Sequence, residues 1–268
     1  MNTNINRGLP ELKPPLKWAG GKRWLISTLQ ELWLSAGPPR RLVDPFCGGL
    51  SVALGLQPGK ALLNDINPHA INFYHWLQRG LRTRIAMRNE RELFYAHRGE
   101  FNQRIAAQRR ETKKCAELFY YLNRTGYNGL CRFNQRGAFN VPFGRYCRIH
   151  YQRDFSCYKD TLSCWHFTCG DFENINLTKT DFIYADPPYD VKFTQYSPGG
   201  FDWESQVRLA NWLSQHKGPV VASNQATKRI IALYKSLSFK VRYIYAPRFI
   251  SRSGDRTPAR EILASRNI

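Results

Sequence analysis

An α/β fold with a mostly parallel, doubly wound sheet is predicted by three features of this chain. Short apolar runs alternate with helix signals along most of its length. Several runs end in a polar or acidic residue followed by Pro or Gly, as strands do when their carboxyl ends open into a binding crevice. One stretch in the middle breaks that rhythm. The runs cover residues 41–46, 61–65, 167–171, 181–186, 219–224, 241–246 and 261–264. Amphipathic segments at 22–34, 67–81 and 205–216 read as helices between them. Strands that alternate with helices are joined by crossovers, which makes neighbouring strands parallel. The exceptional stretch is Arg-rich, has helical spacing at first and then turns loop-like around Gly126, Gly129, Gly137, Pro142 and Gly144. We read residues 79–155 as an inserted, mostly helical subdomain, and 1–78 with 156–268 as a discontinuous main domain.

The charge distribution points to a polyanionic partner. The 268 residues carry 40 Lys and Arg against 20 Asp and Glu, a formal net charge of +20. Residues 79–153 hold 17 basic and 5 acidic side chains, and 228–268 hold 10 and 2, so these two segments account for the entire excess. Like charges gathered on an otherwise neutral body repel one another, and phosphate groups would neutralise them. Apolar residues at 43% can build a full core, which excludes a disordered chain. No apolar run approaches the roughly 20 residues of a membrane span, and no apolar core follows the charges near residue 1. A soluble, cytoplasmic protein is expected, nucleoid-associated if its source is bacterial.

Seven cysteines without a Cys-x-x-Cys pair argue against a disulfide framework. Cys157, Cys164, His166 and Cys169 have the residue types of a zinc site. An extended segment there would put neighbouring candidates on opposite faces, so we expect no metal and small buried thiols instead.

Three motifs carry chemistry. Asp186-Pro187-Pro188-Tyr189 follows the apolar run 181–185 and so sits where a parallel strand ends. The exocyclic amine of a nucleobase is a weak nucleophile, because its lone pair is delocalised into the ring. A carboxylate and a carbonyl that accept both N–H bonds would draw that lone pair out, and consecutive prolines leave a carbonyl with no local N–H competing for it. An aromatic ring beside them can stack on the base. Lys17-Trp18-Ala19-Gly20-Gly21-Lys22 places two glycines before a helix, where backbone N–H groups can meet an anionic group. Asp44-Pro45-Phe46-Cys47-Gly48-Gly49 follows the first strand, and Asn64-Asp65-Ile66-Asn67 closes the second about 20 residues later. A glycine turn followed at that spacing by an acid is the general arrangement for binding ribose hydroxyls. The G-x-G-x-x-G of a dehydrogenase is absent.

Taken in order, these motifs resemble the Dam-type DNA adenine N6-methyltransferases of the D12 class. The likeness extends through the insert, in residues 122–134 (LNRTGYNGLCRFN) and 139–144 (FNVPFG), and more weakly through 250–264. Leu50 stands where the family often has a further glycine. The resemblance implies a Rossmann-like S-adenosylmethionine-dependent methyltransferase sheet and a target-recognition insert. It also implies methyl transfer to adenine N6 in duplex DNA by base flipping, with GATC or a related short site favoured. It assigns Trp18, Lys22, Asp44, Phe46, Gly48, Asp65, Asp171, Phe172 and Asp186 to the cofactor, with Lys22 near its carboxylate, Asp65 on the ribose, and Asp171 and Phe172 on its adenine. Asp186, Pro187, Pro188 and Tyr189 form the catalytic set, and Lys17, Arg124, Tyr127, Asn128, Leu130, Arg132, Asn134 and Pro142 the DNA-reading set. Arg132 can pair with guanine O6 and N7, and Leu130 can touch a thymine methyl. Arg104, Arg109 and Arg110 would meet phosphate or solvent. Two other readings use the same residues: an N4-cytosine or RNA amino-methyltransferase, and a DNA-binding regulator without catalysis.

Overall fold

The computed structural model describes residues 12–38, 40–190, 200–247 and 258–268. Its strands are β1 (Arg41–Asp44), β2 (Lys60–Asp65), β3 (Trp165–Cys169), β4 (Phe182–Ala185), β5 (Val220–Gln225), β6 (Lys240–Ala246) and β7 (Ala259–Arg266). They form one sheet in the order β3-β2-β1-β4-β5-β7-β6. Strands β1 to β5 are parallel, and β7 runs antiparallel to both β5 and β6. All seven predicted strands are present in a Rossmann-like α/β sheet. Strand starts are displaced by at most two residues, in β7, which begins two residues before the predicted 261–264, and in β3, which begins two residues before the predicted 167–171. Burial there alternates from Trp165, and Gly170 (φ 148°) then bends the chain into a turn capped by Asp171.

The helices are α1 (Ile26–Ser35), α2 (Ser51–Leu56), α3 (Pro68–Gln78), α4 (Arg91–Ala106), α5 (Lys113–Thr125), α6 (Tyr158–Leu162), α7 (Trp203–Gln215) and α8 (Lys228–Ser236). Their starts follow local chemistry. The Asn67 side chain accepts from His69 N and Ala70 N with Pro68 in the first turn of α3, and Thr112, Asp202 and Thr227 cap α5, α7 and α8. Central strands β1, β4 and β5 are buried on both faces, as a sheet covered by helices on both sides requires.

The segment between α3 and α6 starts and finishes at one place: Thr83 N donates to Arg153 O at 2.8 Å and Phe155 N to Leu81 O at 2.9 Å. Helices α4 and α5 open it, and an irregular stretch follows, held by the bridges Gly126↔Phe143 and Phe133↔Phe139. It packs on α3, where Phe73 stacks on Tyr120 at 5.6 Å and His69 meets Phe101 at 5.0 Å. Helix α4 clamps the irregular stretch: Asn102 bonds both Phe139 N (2.8 Å) and Phe139 O (3.1 Å), and Arg98 donates to Val141 O at 3.0 Å. Among the described residues, no helix is long and apolar enough to cross a membrane.

Candidate functional site

Parallel register brings the carboxyl ends of β1, β2 and β4 to one edge of the sheet, so Asp44, Asp65 and Asp186 meet there although they lie far apart in sequence. They line a cavity of about 850 Å³. Of the predicted residues, Trp18, Lys22, Asp44, Phe46, Gly48, Asp65, Leu130, Asp186, Pro187, Pro188 and Tyr189 all face it.

Lys22 is the deeply buried cation of this cavity, 4% exposed. Its Nζ sits 3.0 Å from Asp186 Oδ2, donates to Gly20 O at 3.0 Å, lies 3.9 Å from Glu261 Oε2 and stands 4.9 Å above the Tyr189 ring. The other Asp186 oxygen accepts from Ser223 Oγ at 2.7 Å, and Ser223 Oγ in turn meets the Tyr184 hydroxyl at 2.8 Å. The Tyr189 hydroxyl meets the Glu261 carboxyl. Burial pushes Glu261 above the usual carboxylate range, while Lys22 and Tyr189 pull it back and Asp186 adds to the rise.

The glycine turn after β1 forms a cradle for Trp18. Gly48 has φ 44°, and a Cβ there would lie 2.6 Å from Trp18 Nε1, so both backbone and space exclude a side chain. Gly48 N donates to Asp65 Oδ2 at 2.9 Å, and Asn67 N donates to Oδ1 at 2.9 Å. Burial nevertheless pushes Asp65 up to about 6 against those two bonds. Asp44 is also raised, first by burial and then by Asp186 and Asp65, against the Phe46 amide. Leu50, fully buried, keeps the left-handed backbone (φ 63°) that a glycine adopts without strain.

Asp171 and Phe172 stand outside the cavity lining. Asp171 caps the turn after β3 and pairs with Arg208 at 2.6 Å, while the Phe172 ring lies beneath Phe46 at 5.8 Å and beside Trp212 at 5.6 Å. The expectation of buried thiols fails at Cys157, Cys164 and Cys169, which are all exposed. The first two flank the short surface helix α6, and the third ends the edge strand β3. Sequence reasoning missed Ile66, His69, Arg110, Phe133, Gln225 and Glu261 as lining residues. Ile66 left a signal, an apolar residue within a polar turn, and it is 57% exposed.

The predicted DNA-reading residues gather around the start of the irregular stretch. Asn123 grips the Lys17 backbone at both N and O (2.8 Å each), and Lys17 Nζ donates to Arg124 O at 2.9 Å and stands 3.7 Å above the Tyr146 ring. Partial burial, with the charge of Arg124, lowers Lys17 to about 8. Tyr127, Asn128, Arg132, Asn134 and Pro142 are exposed. Tyr127 N donates to Pro142 O at 2.9 Å, and Asn128 is left-handed (φ 52°). Asn140 Oδ1 accepts from Arg132 Nε at 2.8 Å. The Asn134 side-chain Oδ1 is used within its own turn, accepting from Arg136 N and Ala138 N at 3.0 Å. Arg110 lines the cavity, and Arg104 pairs with Glu100 at 3.0 Å.

Residues 18–247 match the family model of the D12 class N6 adenine-specific DNA methyltransferases. The chain belongs to this family. The enzyme is 36% identical over 263 residues to the retron Ec67 DNA adenine methylase of Escherichia coli, a match that covers 93% of this chain and 90% of that one. It is 34% identical to a DNA adenine methylase of Vibrio cholerae, covering 93% of this chain and 94% of the relative. It is 33% identical to the DNA N-6-adenine-methyltransferase of Escherichia phage P1, where 92% of this chain covers 34% of the relative. The enzyme is therefore an adenine-specific DNA methyltransferase whose substrate is DNA.

Proposed function

We propose that the enzyme transfers a methyl group from S-adenosylmethionine to adenine N6 in duplex DNA, on a base swung out of the stack, at GATC or a related short site. The observation that carries this reading is Asp186 at the end of β4, in one cavity with Lys22, Tyr189 and the Gly48 cradle. The lining fits the cofactor: Asp44, Asp65, Asp186 and Glu261 face one deeply buried cation, which suits a ligand that brings a sulfonium and an ammonium. His69 Nδ1, on the same lining, has no hydrogen-bond partner among the described residues.

When bound, the cofactor supplies a methyl group on a positively charged sulfur. Trp18, Phe46 and Gly48 would pack against it, Lys22 would lie near its carboxylate and Asp65 would take the ribose. Asp171 and Phe172 remain our candidates for its adenine, a role Asp171 reaches by releasing Arg208. Asp186 would accept one hydrogen of the target amine and the Pro187 carbonyl the other, which localises the nitrogen lone pair. The Pro188 ring and the Tyr189 face would hold the base flat. Once nitrogen has gained its fourth bond, its surplus proton passes to the Asp186 carboxylate and on to water. Flipping follows from geometry, since a paired and stacked adenine cannot align its N6 for this attack.

We assign residues 79–155 to target recognition and 1–78 with 156–268 to catalysis, in a cytoplasmic enzyme. The reading set is Lys17, Arg124, Tyr127, Asn128, Leu130, Arg132, Asn134 and Pro142. Modified-base sequencing of DNA from a host that lacks adenine methylation and expresses this chain is the test. N6-methyladenine at GATC or one related site is expected. Methylcytosine instead, or unmodified DNA, overturns the reading.

A further inference from the structure

The loop that carries Asp186 is tied down by a buried pair of side-chain amides. Pro187 and Pro188 have no N–H, so this loop cannot be held by its own backbone donors there. Gln206 on α7, fully buried, donates from Nε2 to the Pro188 carbonyl at 2.8 Å. Its Oε1 accepts from Asn224 Nδ2 at 2.9 Å, and Asn224 is also fully buried, on β5. Asn224 Oδ1 accepts from Gln225 N at 2.8 Å. The chain of bonds allows one orientation. Asn224 must spend its carbonyl on the Gln225 amide, so it offers N–H to Gln206, and Gln206 must then point its own N–H at Pro188. Among the described residues, no hydrogen bond reaches the Pro187 carbonyl.

We propose that Gln206 is a positioning residue for methyl transfer: by occupying the Pro188 carbonyl it fixes the Asp186–Tyr189 loop and leaves the Pro187 carbonyl as the acceptor that faces the target amine. The inference rests on the amine-binding role proposed above for Asp186 and Pro187. Two buried amides are costly unless fully bonded, and a pair of apolar side chains would fill the same space, so the network is explained by the geometry it imposes rather than by stability.

Two variants test it, read by single-turnover methylation of a cognate duplex and, separately, by the affinity for S-adenosylhomocysteine. Gln206→Leu removes the donor. It should slow the single-turnover rate about ten- to a hundredfold, the effect of a displacement on the order of 1 Å at the reacting atoms, while S-adenosylhomocysteine binds as in wild type. Gln206→Glu restores the donor only when protonated, and burial raises the titration of the introduced carboxyl. Its rate relative to wild type should approach unity in mild acid and fall about tenfold per pH unit once that carboxyl ionises. The Leu variant's ratio should be flat. A wild-type rate in Gln206→Leu, or a flat ratio in Gln206→Glu, overturns the assignment. Weakened S-adenosylhomocysteine binding in Gln206→Leu overturns it as well, because Gln206 would then support the whole cavity rather than the loop. Wild-type protein that binds S-adenosylhomocysteine but does not methylate adenine overturns the amine-binding role itself.

Discussion

Replacing Asp65 by Asn should change how stability depends on pH, by an amount the structure sets. Asp65 is buried at the end of β2, and its carboxyl is raised from 3.8 to about 6 by that burial, against hydrogen bonds from the Gly48 and Asn67 amides. The folded chain therefore holds this proton more tightly than the unfolded chain does. The resulting stabilisation is fully present below the unfolded value and is lost as pH rises through about 6. Two units of difference correspond to about 3 kcal/mol in total, of which roughly 1 kcal/mol is lost between pH 5 and 7. Asparagine has no such titration. It also loses one acceptor, so Asp65→Asn carries a fixed offset that does not vary with pH. Urea unfolding of both proteins from about pH 4 to 7.5 gives the difference between them at each pH. That difference should move in favour of the variant by about 2 kcal/mol across the range. A difference that stays flat, or moves the other way, would refute the claim that burial outweighs the two amide bonds at Asp65.

Gly48→Ala should lower the melting temperature and weaken S-adenosylhomocysteine binding in calorimetry, because it costs about 1 kcal/mol of left-handed strain and its Cβ meets the Trp18 ring at 2.6 Å; wild-type affinity would show that the cradle does not shape the site. Arg132→Ala should cost about 1–3 kcal/mol on cognate DNA and much less on a scrambled duplex, whereas Arg109→Ala should weaken both alike and flatten the salt dependence by about one unit. Titrations at several salt concentrations distinguish the two, and equal losses for Arg132→Ala would remove it from base reading. Exhaustive chelation should leave the methylation rate unchanged, and a loss restored by zinc would return attention to Cys157, Cys164 and Cys169.

The strands are legible because each is a short apolar run and several close on a polar residue, and the acids at three of those ends mark the cavity edge directly. Parallel pairing then does the rest, since register alone brings Asp44, Asp65 and Asp186 together. Glu261 was invisible for the same reason in reverse. It reaches the site by antiparallel pairing of β7 with Gln225 of β5, a partnership no local pattern encodes. Gln206 carries no local signal of its role, since its complete burial arises only from how α7 packs. Cys157 and Cys164 misled because thiols are usually buried, yet they flank a helix of only five residues at the surface. Asp171 is a turn cap by local rules, and its pairing with Arg208 depends on how α7 packs.

If Asp186 acts on the target amine as proposed, rather than merely holding Lys22, its removal should stop methylation and spare binding. Purified wild-type protein and Asp186→Ala should be compared on a cognate duplex with S-adenosylmethionine, with N6-methyladenine quantified by mass spectrometry and the binding of cofactor and DNA measured alongside. A hydrogen bond made strongest in the transition state costs catalysis more than binding, so the variant should still bind both ligands and form no N6-methyladenine. Normal turnover by Asp186→Ala would show that Asp186 holds Lys22 and takes no part in methyl transfer.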